Sequence, residues 1–463
     1  MKPGASRDPV ANSTKIEAKM ANFKTAVERK KKDIELDHGS RLKRQELFGL
    51  MSSEVADDAQ RQMAFERFKS LEKKVVLAGC KSWSTADMMP LKKLGEGSFG
   101  KVYLVKHKDT DQHFALKKMQ KSVYNKKNLR SRMFAEREIL GQASCRWFVD
   151  LIATFQDADH IYVLMEFLQG GDLMYWLTIR RRFTEEESRF YLAELLEGID
   201  VVHKCGYVHR DIKPDNAVLC VSGHLKLLDF GLCKLDPTAL QAGRDPSENG
   251  CDSMAREAEG TQASRTLTRR DMAKSLCGTP GYLAPEAFDG VVSTALDIWA
   301  LGHMTYEFLY GAPAFHAGEL VNSPQALHVI NTQVRSWATV VPMKLQKAQR
   351  RGLLSPVAAD FISKVLCHHE GRLKADQIRA HPFFASVDFT RLHEMRPPIV
   401  PAGLSGPADT KYFDAAGEVE ASWRANQNTT TMKDLDIEWA GYEFDKETRD
   451  LQSPEAVRKL FQE

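Results

Sequence analysis

The chain has 463 residues, with 43% hydrophobic and 27% charged side chains, which is an ordinary balance for a globular protein. Its length exceeds what one hydrophobic core serves, so we expect two lobes with extensions. The 65 basic and 62 acidic residues nearly cancel, which excludes partner binding driven by overall charge; any basic face must be local.

The eight cysteines are scattered without a CxxC pair, which predicts reduced thiols in a cytoplasmic or nuclear protein. Cys367, His368 and His369 are adjacent, but neighbouring side chains on a helix diverge and no second pair exists, so we expect no metal site there. Residues 1–10 lack the apolar core of a signal peptide. No apolar run approaches the ~20 residues of a membrane span, so none is expected.

Residues 1–90 contain two segments with apolar residues at helical spacing and basic residues around them. The apolar positions are Ile16, Met20, Phe23, Val27 and Ile34, then Ala64, Phe68, Leu71 and Val75. Two solvated helices packed on the protein, or a docking arm for a partner with an acidic surface, fit the pattern equally well. Nucleic acid is disfavoured because interspersed acids such as Glu17 and Glu28 would repel phosphates.

From Leu91 the pattern changes to alternating strands, with the glycine-rich segment G-E-G-S-F-G at 95–100 between two of them. The segment is followed by K-V-Y-L-V-K, a strand, which excludes the dinucleotide-binding fold that requires a helix there. Glycines allow a backbone to close over phosphates without a Cβ in the way. Downstream stand Lys117 in F-A-L-K and two candidate carboxylate partners, Glu136 and Glu138. Glu136 is preferred, because Leu140 then falls one turn later on the inward face.

Two polar clusters follow the apolar strand predicted at 161–168. The first, Y-V-H-R-D-I-K-P-D-N at 207–216, contains Asp211, Lys213 and Asn216. The second is the Asp-Phe-Gly of 229–231, and an Ala-Pro-Glu follows at 284–286. Four signals in this order resemble the protein kinases.

That resemblance implies an α+β bilobal protein-kinase fold over residues 91–384, with a small, mainly β N-lobe that carries helix αC and a larger, mainly α C-lobe. It implies ATP- and Mg²⁺-dependent phosphorylation of proteins, and Lys213 favours serine or threonine over tyrosine as the acceptor. In such a kinase Asp211 orients the incoming hydroxyl, Lys213 neutralises charge on the transferred group, and Lys117 pairs with Glu136. Asn216 and Asp229 hold Mg²⁺.

The resemblance also assigns residues that bind nucleotide and residues that stack between the lobes. The nucleotide-binding residues are Leu94, Gly95, Gly97, Ser98, Phe99, Gly100, Val102, Ala115, Lys117, Met165, Glu166, Leu168, Asp172 and Val218. The stacked regulatory spine is Leu140, Leu151, His209 and Phe230. Asp297 is expected to anchor the catalytic loop, and Arg372 to pair with Glu286 inside the C-lobe.

Acidic residues at Asp172, Asp215 and Glu307 match positions that hold basic substrate residues in AGC-class kinases. Carboxylates grip a guanidinium in a fork geometry, so we expect substrates with arginine upstream of the target hydroxyl.

Within the AGC class, the tail stretch V-D-F-T-R-L-H-E-M-R-P-P at 387–398, with Tyr412, Phe413 and Asp414, is similar to the mitotic-exit and septation branch of the NDR/LATS group, and the chain as a whole is similar to that group. The similarity rests on the basic helical region 1–90, an insertion at about 234–268, and a C-terminal tail, 385–463, with the hydrophobic motif W-A-G-Y-E-F at 439–444. It implies a MOB-type coactivator at the N-terminal helices and a role in cell division or morphogenesis. It also implies a cytoplasmic location that extends to the nucleus or to spindle-pole and division-site structures.

Regulation is expected at the activation segment and at the tail. A phosphate on Ser275 would pair with Arg210, and Met272 stands where a basophilic kinase wants arginine, which leaves room for an upstream kinase. In the tail, Trp439, Tyr442 and Phe444 form the motif, and Glu443 replaces the usual phosphorylatable threonine. A permanent carboxylate there predicts constitutive, partial docking of the tail against αC.

The main alternative is a MOB-binding pseudokinase scaffold that does not turn over. Loss of Lys117, Asp211 or Asp229 would favour it, and all three residues are present.

Overall fold

The computed structural model describes most of the chain from residue 83 onward. The described residues are 83–97, 100–127, 130–142, 145–237, 279–320, 323, 325–413, 417–419, 439, 442–446 and 449, with isolated positions between 48 and 71. The predicted helix around residues 16–34, the glycine-loop residues Ser98 and Phe99, most of the 234–268 insertion and Ser275 lie outside them. Among the isolated positions, Ala64, Phe68 and Leu71 are helical and buried.

The N-lobe is a six-stranded antiparallel sheet in the order β1-β2-β3-β5-β4-β10. Its strands are β1 (Met88–Gly97), β2 (Gly100–His107), β3 (His113–Gln120), β4 (Leu151–Gln156), β5 (His160–Glu166) and β10 (Phe444–Asp445). The first strand begins three residues before the predicted Leu91, and β5 ends at Glu166 rather than at residue 168. The hairpin β1–β2 encloses the glycine-rich segment, as the strand pattern predicts.

One face of this sheet is a compact apolar core that includes Tyr103, Val105, Phe114 and Leu116. Two helices, α1 (Lys121–Lys127) and α2 (Arg130–Gln142), connect β3 to β4. Alternation along each strand places Lys117, next to Leu116, on the opposite face. The sheet therefore directs one face to its own core and the other toward the C-lobe.

The C-lobe is mainly helical. Its helices are α3 (Leu173–Arg180), α4 (Glu185–Lys204), α5 (Ala295–Tyr310), α6 (Ala326–Arg335), α7 (Trp337–Arg350), α8 (Pro356–Val365) and α9 (Ala375–Arg379). Two short antiparallel strand pairs, β6 (Tyr207–Val208) with β9 (Lys234–Leu235) and β7 (Ala217–Leu219) with β8 (Leu225–Leu227), carry the segments that contain Asp211 and Asp229. This architecture confirms the expected α+β kinase fold.

The first of the two longest C-lobe helices begins at a local capping signal, and the second is positioned by close packing. Thr184 and Glu187 form a reciprocal capping box that begins α4, because each side chain accepts from the other's backbone N–H. Helix α5 is almost wholly buried and passes α8 closely at Gly302, where a Cβ would stand 2.5 Å from Val365 Cγ2. Helix α4 packs against α5 and against the strands β6 and β8.

The segment 385–413 contacts both lobes. The Tyr191 hydroxyl on α4 is within 3.2 Å of the Ile399 backbone N and O, and Gln169, after β5, donates to the Gly406 carbonyl at 2.7 Å. On β1, Lys92 Nζ donates to Thr410 Oγ1 at 2.8 Å. None of the helices that the structure describes is long and apolar enough to cross a membrane.

Candidate active site

A charge triad of the buried Lys117 and Glu136 and the partly exposed Asp229 joins the two lobes. Lys117 Nζ on β3 lies 3.0 Å from Glu136 Oε1 on α2 and 2.9 Å from Asp229 Oδ1. Lys117 is 7% exposed and Glu136 is 2% exposed. The structure thus pairs Lys117 with Glu136; Glu138 instead accepts from the Tyr207 hydroxyl at 3.3 Å.

The charges of this triad stabilise the protonated, positively charged form of Lys117. Burial opposes a charged Lys117, but the carboxylates of Asp229 and Glu136 outweigh it and hold the lysine pKa well above its ordinary value. Burial would likewise raise the pKa of Asp229, but Lys117 overrides it and lowers that pKa. Burial raises the pKa of Glu136 against the pull of the same lysine. One cation is therefore shared by two carboxylates that repel each other.

The catalytic-loop carboxylate, Asp211, is surrounded by hydrogen-bond donors. Lys213 Nζ donates to its Oδ2 at 2.8 Å and Asn216 Nδ2 donates to the same oxygen at 3.0 Å. The backbone N–H and the hydroxyl of Thr279 both donate to Oδ1 at 3.2 Å. Because every neighbour donates, the side chain at this position must be an acceptor on both oxygens.

The loop that carries Asp211 is fixed from below by α5. The buried Asp297 carboxylate accepts from the backbone N–H groups of His209 and Arg210, each at 2.8 Å. It also lies 2.8 Å from His203 Nε2; burial would raise the pKa of Asp297, but the bond from His203 outweighs it and lowers that pKa. Arg210 has φ 68° and Asp229 has φ 56°, a region that costs energy for residues other than glycine and marks functional segments held by their surroundings.

The predicted spine residues are all buried between the lobes. The Phe230 ring lies 5.1 Å from the His209 ring and 4.9 Å from that of Phe148, centroid to centroid. Burial lowers the pKa of His209, which favours a neutral ring in this apolar stack. The Asp-Phe-Gly segment is thereby held with Asp229 facing Lys117.

The predicted nucleotide-binding residues cluster on one face of the sheet. Val102 is directly opposite Lys117, and Ala115 is opposite Met165, so strand alternation puts all four on the Lys117 face. Leu94, Leu168 and Val218 are 6–8% exposed, and Val218 forms a bridge with Asp172. The Glu166 N–H donates to the Asp150 carbonyl at 3.0 Å and is therefore unavailable to a nucleotide.

The residues present fit a nucleotide phosphate with Mg²⁺. A Cβ added at Gly95 or Gly97 would meet no atom of the described residues within 4 Å, so packing against them does not require glycine there, whereas close approach of a phosphate would. Among the described residues no three His, Cys, Asp or Glu side chains cluster as metal ligands. Mg²⁺ in kinases needs only a carboxylate and an amide oxygen, besides phosphate and water, and Asp229 and Asn216 supply those two.

The three acids predicted to hold basic substrate residues have different surroundings. Asp215 is exposed, whereas Asp172 caps α3 by accepting from the Tyr175 N–H at 2.7 Å. Glu307 is only 4% exposed and accepts from the Tyr282 hydroxyl. Burial raises the pKa of Glu307 to about 7, partly offset by Tyr282 and reinforced by the negative charge of Asp215.

The C-terminal hydrophobic motif lies against α2 and β4. Trp439 and Tyr442 are fully buried, and both rings contact Phe134 of α2, at centroid distances of 6.3 and 5.6 Å. The Glu443 side chain is exposed and accepts from Gln156 Nε2, which also donates to the Trp439 carbonyl at 3.1 Å. The motif thus adds β10 to the sheet edge and covers the outer side of the helix that carries Glu136.

The predicted contact between Arg372 and Glu286 is present in the C-lobe, whereas the predicted pairing of Arg210 with a phosphate on Ser275 involves a residue outside the described ones. Arg372 makes a two-pronged ion pair with Glu286, whose closer distance is 2.5 Å, and both side chains are buried. Arg210 Nε donates to the Leu232 carbonyl at 2.8 Å.

Sequence reasoning missed Thr279, Phe134 and Gln156. Thr279 also accepts from Lys213 Nζ at 3.0 Å, so it links the activation segment to the catalytic loop. The sequence signal that could have identified Thr279 is its place in the Gly-Thr-Pro of 278–280, shortly after Ser275. No local pattern marks Phe134 or Gln156, because their partners lie roughly 300 residues away along the chain.

Comparison with known proteins agrees with this geometry. A model of the protein kinase domain matches residues 89–384. The probable serine/threonine-protein kinase ndrB of Dictyostelium discoideum is 38% identical over 344 residues, covering 69% of this chain and 61% of that protein. The serine/threonine-protein kinase LATS2 of Homo sapiens is 36% identical over 383 residues, covering 76% of this chain and 34% of that protein.

A third relative, the serine/threonine-protein kinase CBK1 of Saccharomyces cerevisiae, is 35% identical over 369 residues, covering 71% of this chain and 47% of that protein. The chain therefore spans between about a third and three fifths of the length of these relatives. The comparisons confirm the expected resemblance to protein kinases of the NDR/LATS group.

Proposed function

Because the chain belongs to the protein kinase family, we propose that it transfers a phosphoryl group from ATP, with Mg²⁺, to serine or threonine side chains of proteins. The proposal rests on the observation that the ion pairs of Lys117 and the hydrogen bonds that orient Asp211 are both present in the same structure. Lys117 is paired with Glu136 and Asp229, and Asp211 is fully oriented by its donors.

ATP supplies the phosphoryl group, and Mg²⁺ neutralises the charge that develops on it. The remaining work belongs to the chain's own residues. Lys117 offers a fixed positive charge to the nucleotide phosphates, and Asn216 and Asp229 supply the oxygens for the metal. Asp211 directs an acceptor oxygen at the incoming hydroxyl, and the neighbouring Lys213 offsets negative charge beside it.

The finer features of the proposal rest on the similarity to the NDR/LATS group. We place a MOB-type coactivator at the N-terminal helices, an upstream kinase at Ser275, and a role in cell division or morphogenesis from a cytoplasmic or nuclear location. Substrates with arginine upstream of the target hydroxyl are supported by Asp172, Asp215 and the Glu307–Tyr282 pair.

The test offers ATP, Mg²⁺ and a serine peptide with upstream arginine to the full chain, with and without a MOB protein. Matched peptides carry tyrosine in place of serine, or glutamine in place of arginine, and Asp211→Ala provides the inactive reference. We expect phosphorylation of the serine peptide only, weaker use of the glutamine peptide, and a higher rate with MOB. Tight MOB binding without turnover, even after phosphorylation of Ser275, would instead establish the scaffold.

A further inference from the structure

Helix α7 carries a basic stripe on its exposed face. Its cations are Lys347 and Arg350, with Arg351 directly after the helix and the half-buried Lys344 beside them, and residues 337–352 contain no Asp or Glu. Met343, Gln346, Lys347, Arg350 and Arg351 line one groove. Their spacing of three and four residues places them on a single side of the helix, opposite the buried Val341, Leu345 and Ala348.

A second basic segment adjoins this stripe. Arg351 Nη1 bonds to the Tyr310 hydroxyl at 3.0 Å, and its guanidinium lies 5.9 Å from the centre of that ring. Gly311 follows Tyr310 in the chain, and a Cβ added at Gly311 would stand 3.4 Å from Arg182 Cβ. The exposed Arg181 and Arg182 therefore lie beside the end of α5, where Arg351 contacts Tyr310. We call the surface formed by Arg181, Arg182, Lys347, Arg350 and Arg351 the basic surface.

The charges of the basic surface are not neutralised within the described part of the chain. No ion pair joins Lys347, Arg350, Arg181 or Arg182 to an acidic side chain there, whereas several other exposed cations of the same lobe are paired. The paired examples are Arg180 with Glu187, Arg335 with Asp289, Lys364 with Asp360 and Arg391 with Glu394. Burial, and to a smaller extent the charge of Lys347, lowers the pKa of Lys344 beside the stripe.

The groove also has an apolar element. Met343 is 61% exposed and lies within the cationic stripe, with the amide of Gln346 beside it. A thioether adapts to varied apolar side chains, and an amide pairs with a peptide backbone. A membrane surface would call for exposed aromatic or large aliphatic side chains along the stripe, and Met343 is the sole apolar residue lining the groove.

We propose that the basic surface is a docking site for an acidic protein segment in which Asp or Glu residues flank one apolar side chain. The carboxylates pair with the arginines in fork geometry, and the apolar side chain covers Met343. The stripe from 343 to 351 is about 12 Å long at the helical rise. It accommodates roughly four residues of an extended peptide, and Arg181 and Arg182 lengthen it. None of Asp172, Asp215 and Glu307 lines this groove, so one substrate can offer a basic target sequence and an acidic docking segment.

The test measures binding by fluorescence anisotropy on the full chain, and is therefore independent of turnover. The probe is a fluorescein-labelled peptide in which Asp and Glu flank a leucine. The variant Lys347→Gln with Arg350→Gln is compared with a control of equal charge change in the other lobe, Lys106→Gln with Lys108→Gln. We expect the first pair to weaken binding about tenfold, since each exposed ion pair contributes up to about 1 kcal/mol. The control pair should change binding less than about twofold.

Three further readings decide the chemistry of the partner. A peptide with serine in place of leucine should bind more weakly, Arg182→Gln should lower affinity independently of α7, and added salt should weaken binding because the charges are exposed. All the substituted side chains are exposed, or in Lys106 half-buried, so unchanged melting temperatures are expected. Equal affinity of wild type and the α7 variant, absence of peptide binding, or preferential binding of phosphatidylserine vesicles or duplex DNA would overturn the proposal.

Discussion

Lys117 shares one positive charge between two carboxylates; Lys117 and Glu136 are buried, whereas the Asp229 side chain is 34% exposed. Removing it would leave Glu136 and Asp229 facing each other without a counter-ion, and Glu136 Oε2 already has no hydrogen-bond partner. A buried ion pair broken from one side is strongly destabilising, because the remaining charge keeps its desolvation cost.

We therefore expect Lys117→Met to abolish phosphate transfer and to lower the free energy of unfolding by about 3–5 kcal/mol. Enzyme assays and urea unfolding measure the two effects. Lys118→Met is the matched control, because the next residue on β3 is half-buried and faces the other side of the sheet. A Lys117 variant as stable and as active as the control would contradict this account of the triad.

Glu307 predicts a pH dependence of substrate recognition. Its folded pKa of about 7 lies above the ordinary value of 4.5, so it is neutral in mildly acidic solution and gains charge as pH rises through about 7. Affinity for an upstream arginine should then rise between about pH 6 and pH 8, seen as a falling KM. Because the folded protein holds the Glu307 proton more tightly than the unfolded chain does, the contribution of Glu307 to folding stability falls as pH rises from about 4.5 to about 7.

The control for this prediction is Glu307→Gln, which keeps an acceptor for the Tyr282 hydroxyl and cannot ionise. Its KM for the arginine peptide should vary little across this range, and a peptide without arginine should show no such step with either protein. An identical pH profile for wild type and variant would remove Glu307 from substrate binding.

At the scale of elements, helix α2 is held from two sides. Its inner face offers Glu136 to Lys117, and its outer face packs Phe134 against the buried Trp439 and Tyr442 of the tail. The strand β10 pairs with β4 at Phe444 and Thr154, which fixes where the motif sits. Docking of the tail is thereby coupled to the ion pair that the active site requires.

Glu443 tests this coupling. Its side chain accepts from Gln156 Nε2, a bond that pins the motif next to α2. Glu443→Ala should lower kcat by roughly two- to tenfold, the equivalent of one hydrogen bond of about 0.5–1.5 kcal/mol. Glu443→Gln preserves an acceptor and should retain most of the activity. An unchanged rate in the alanine variant would contradict the coupling between tail docking and the ion pair of the active site.

The sequence predicts elements well where the signal is local and poorly where it is not. The hairpin around the glycine loop, Lys117, Asp211 and Asp229 each stand in a motif whose spacing is decisive. No local pattern predicts the pairing of β10 with β4, the Phe134 contact, or the junction of α7 with Arg181 and Arg182 in the basic surface. Each of these brings together segments that are far apart in the chain. Predictions on Ser275, the N-terminal arm and the 234–268 insertion stay predictions.

At the scale of the whole molecule, the tail ties the lobes together. It contacts α4 at Tyr191, the connection after β5 at Gln169, and β1 at Lys92, before β10 joins the sheet edge. Lobe positions, the ion pair of Lys117 and the orientation of Asp211 are thus parts of one arrangement.

The measurement that tests this arrangement most directly is phosphate transfer by Asp211→Asn, with Mg²⁺-ATP affinity measured on the same protein. The Asp211 carboxylate accepts four hydrogen bonds, two on each oxygen. In Asp211→Asn one of these oxygens becomes an NH₂ group that faces hydrogen-bond donors, so the side chain loses its negative charge and cannot keep the same hydrogen-bond geometry. We predict a fall in kcat of at least about 100-fold, the usual worth of a positioned catalytic base, with nucleotide affinity little changed. Transfer at the wild-type rate by the variant would contradict the assignment of Asp211 and, with it, the proposed mechanism.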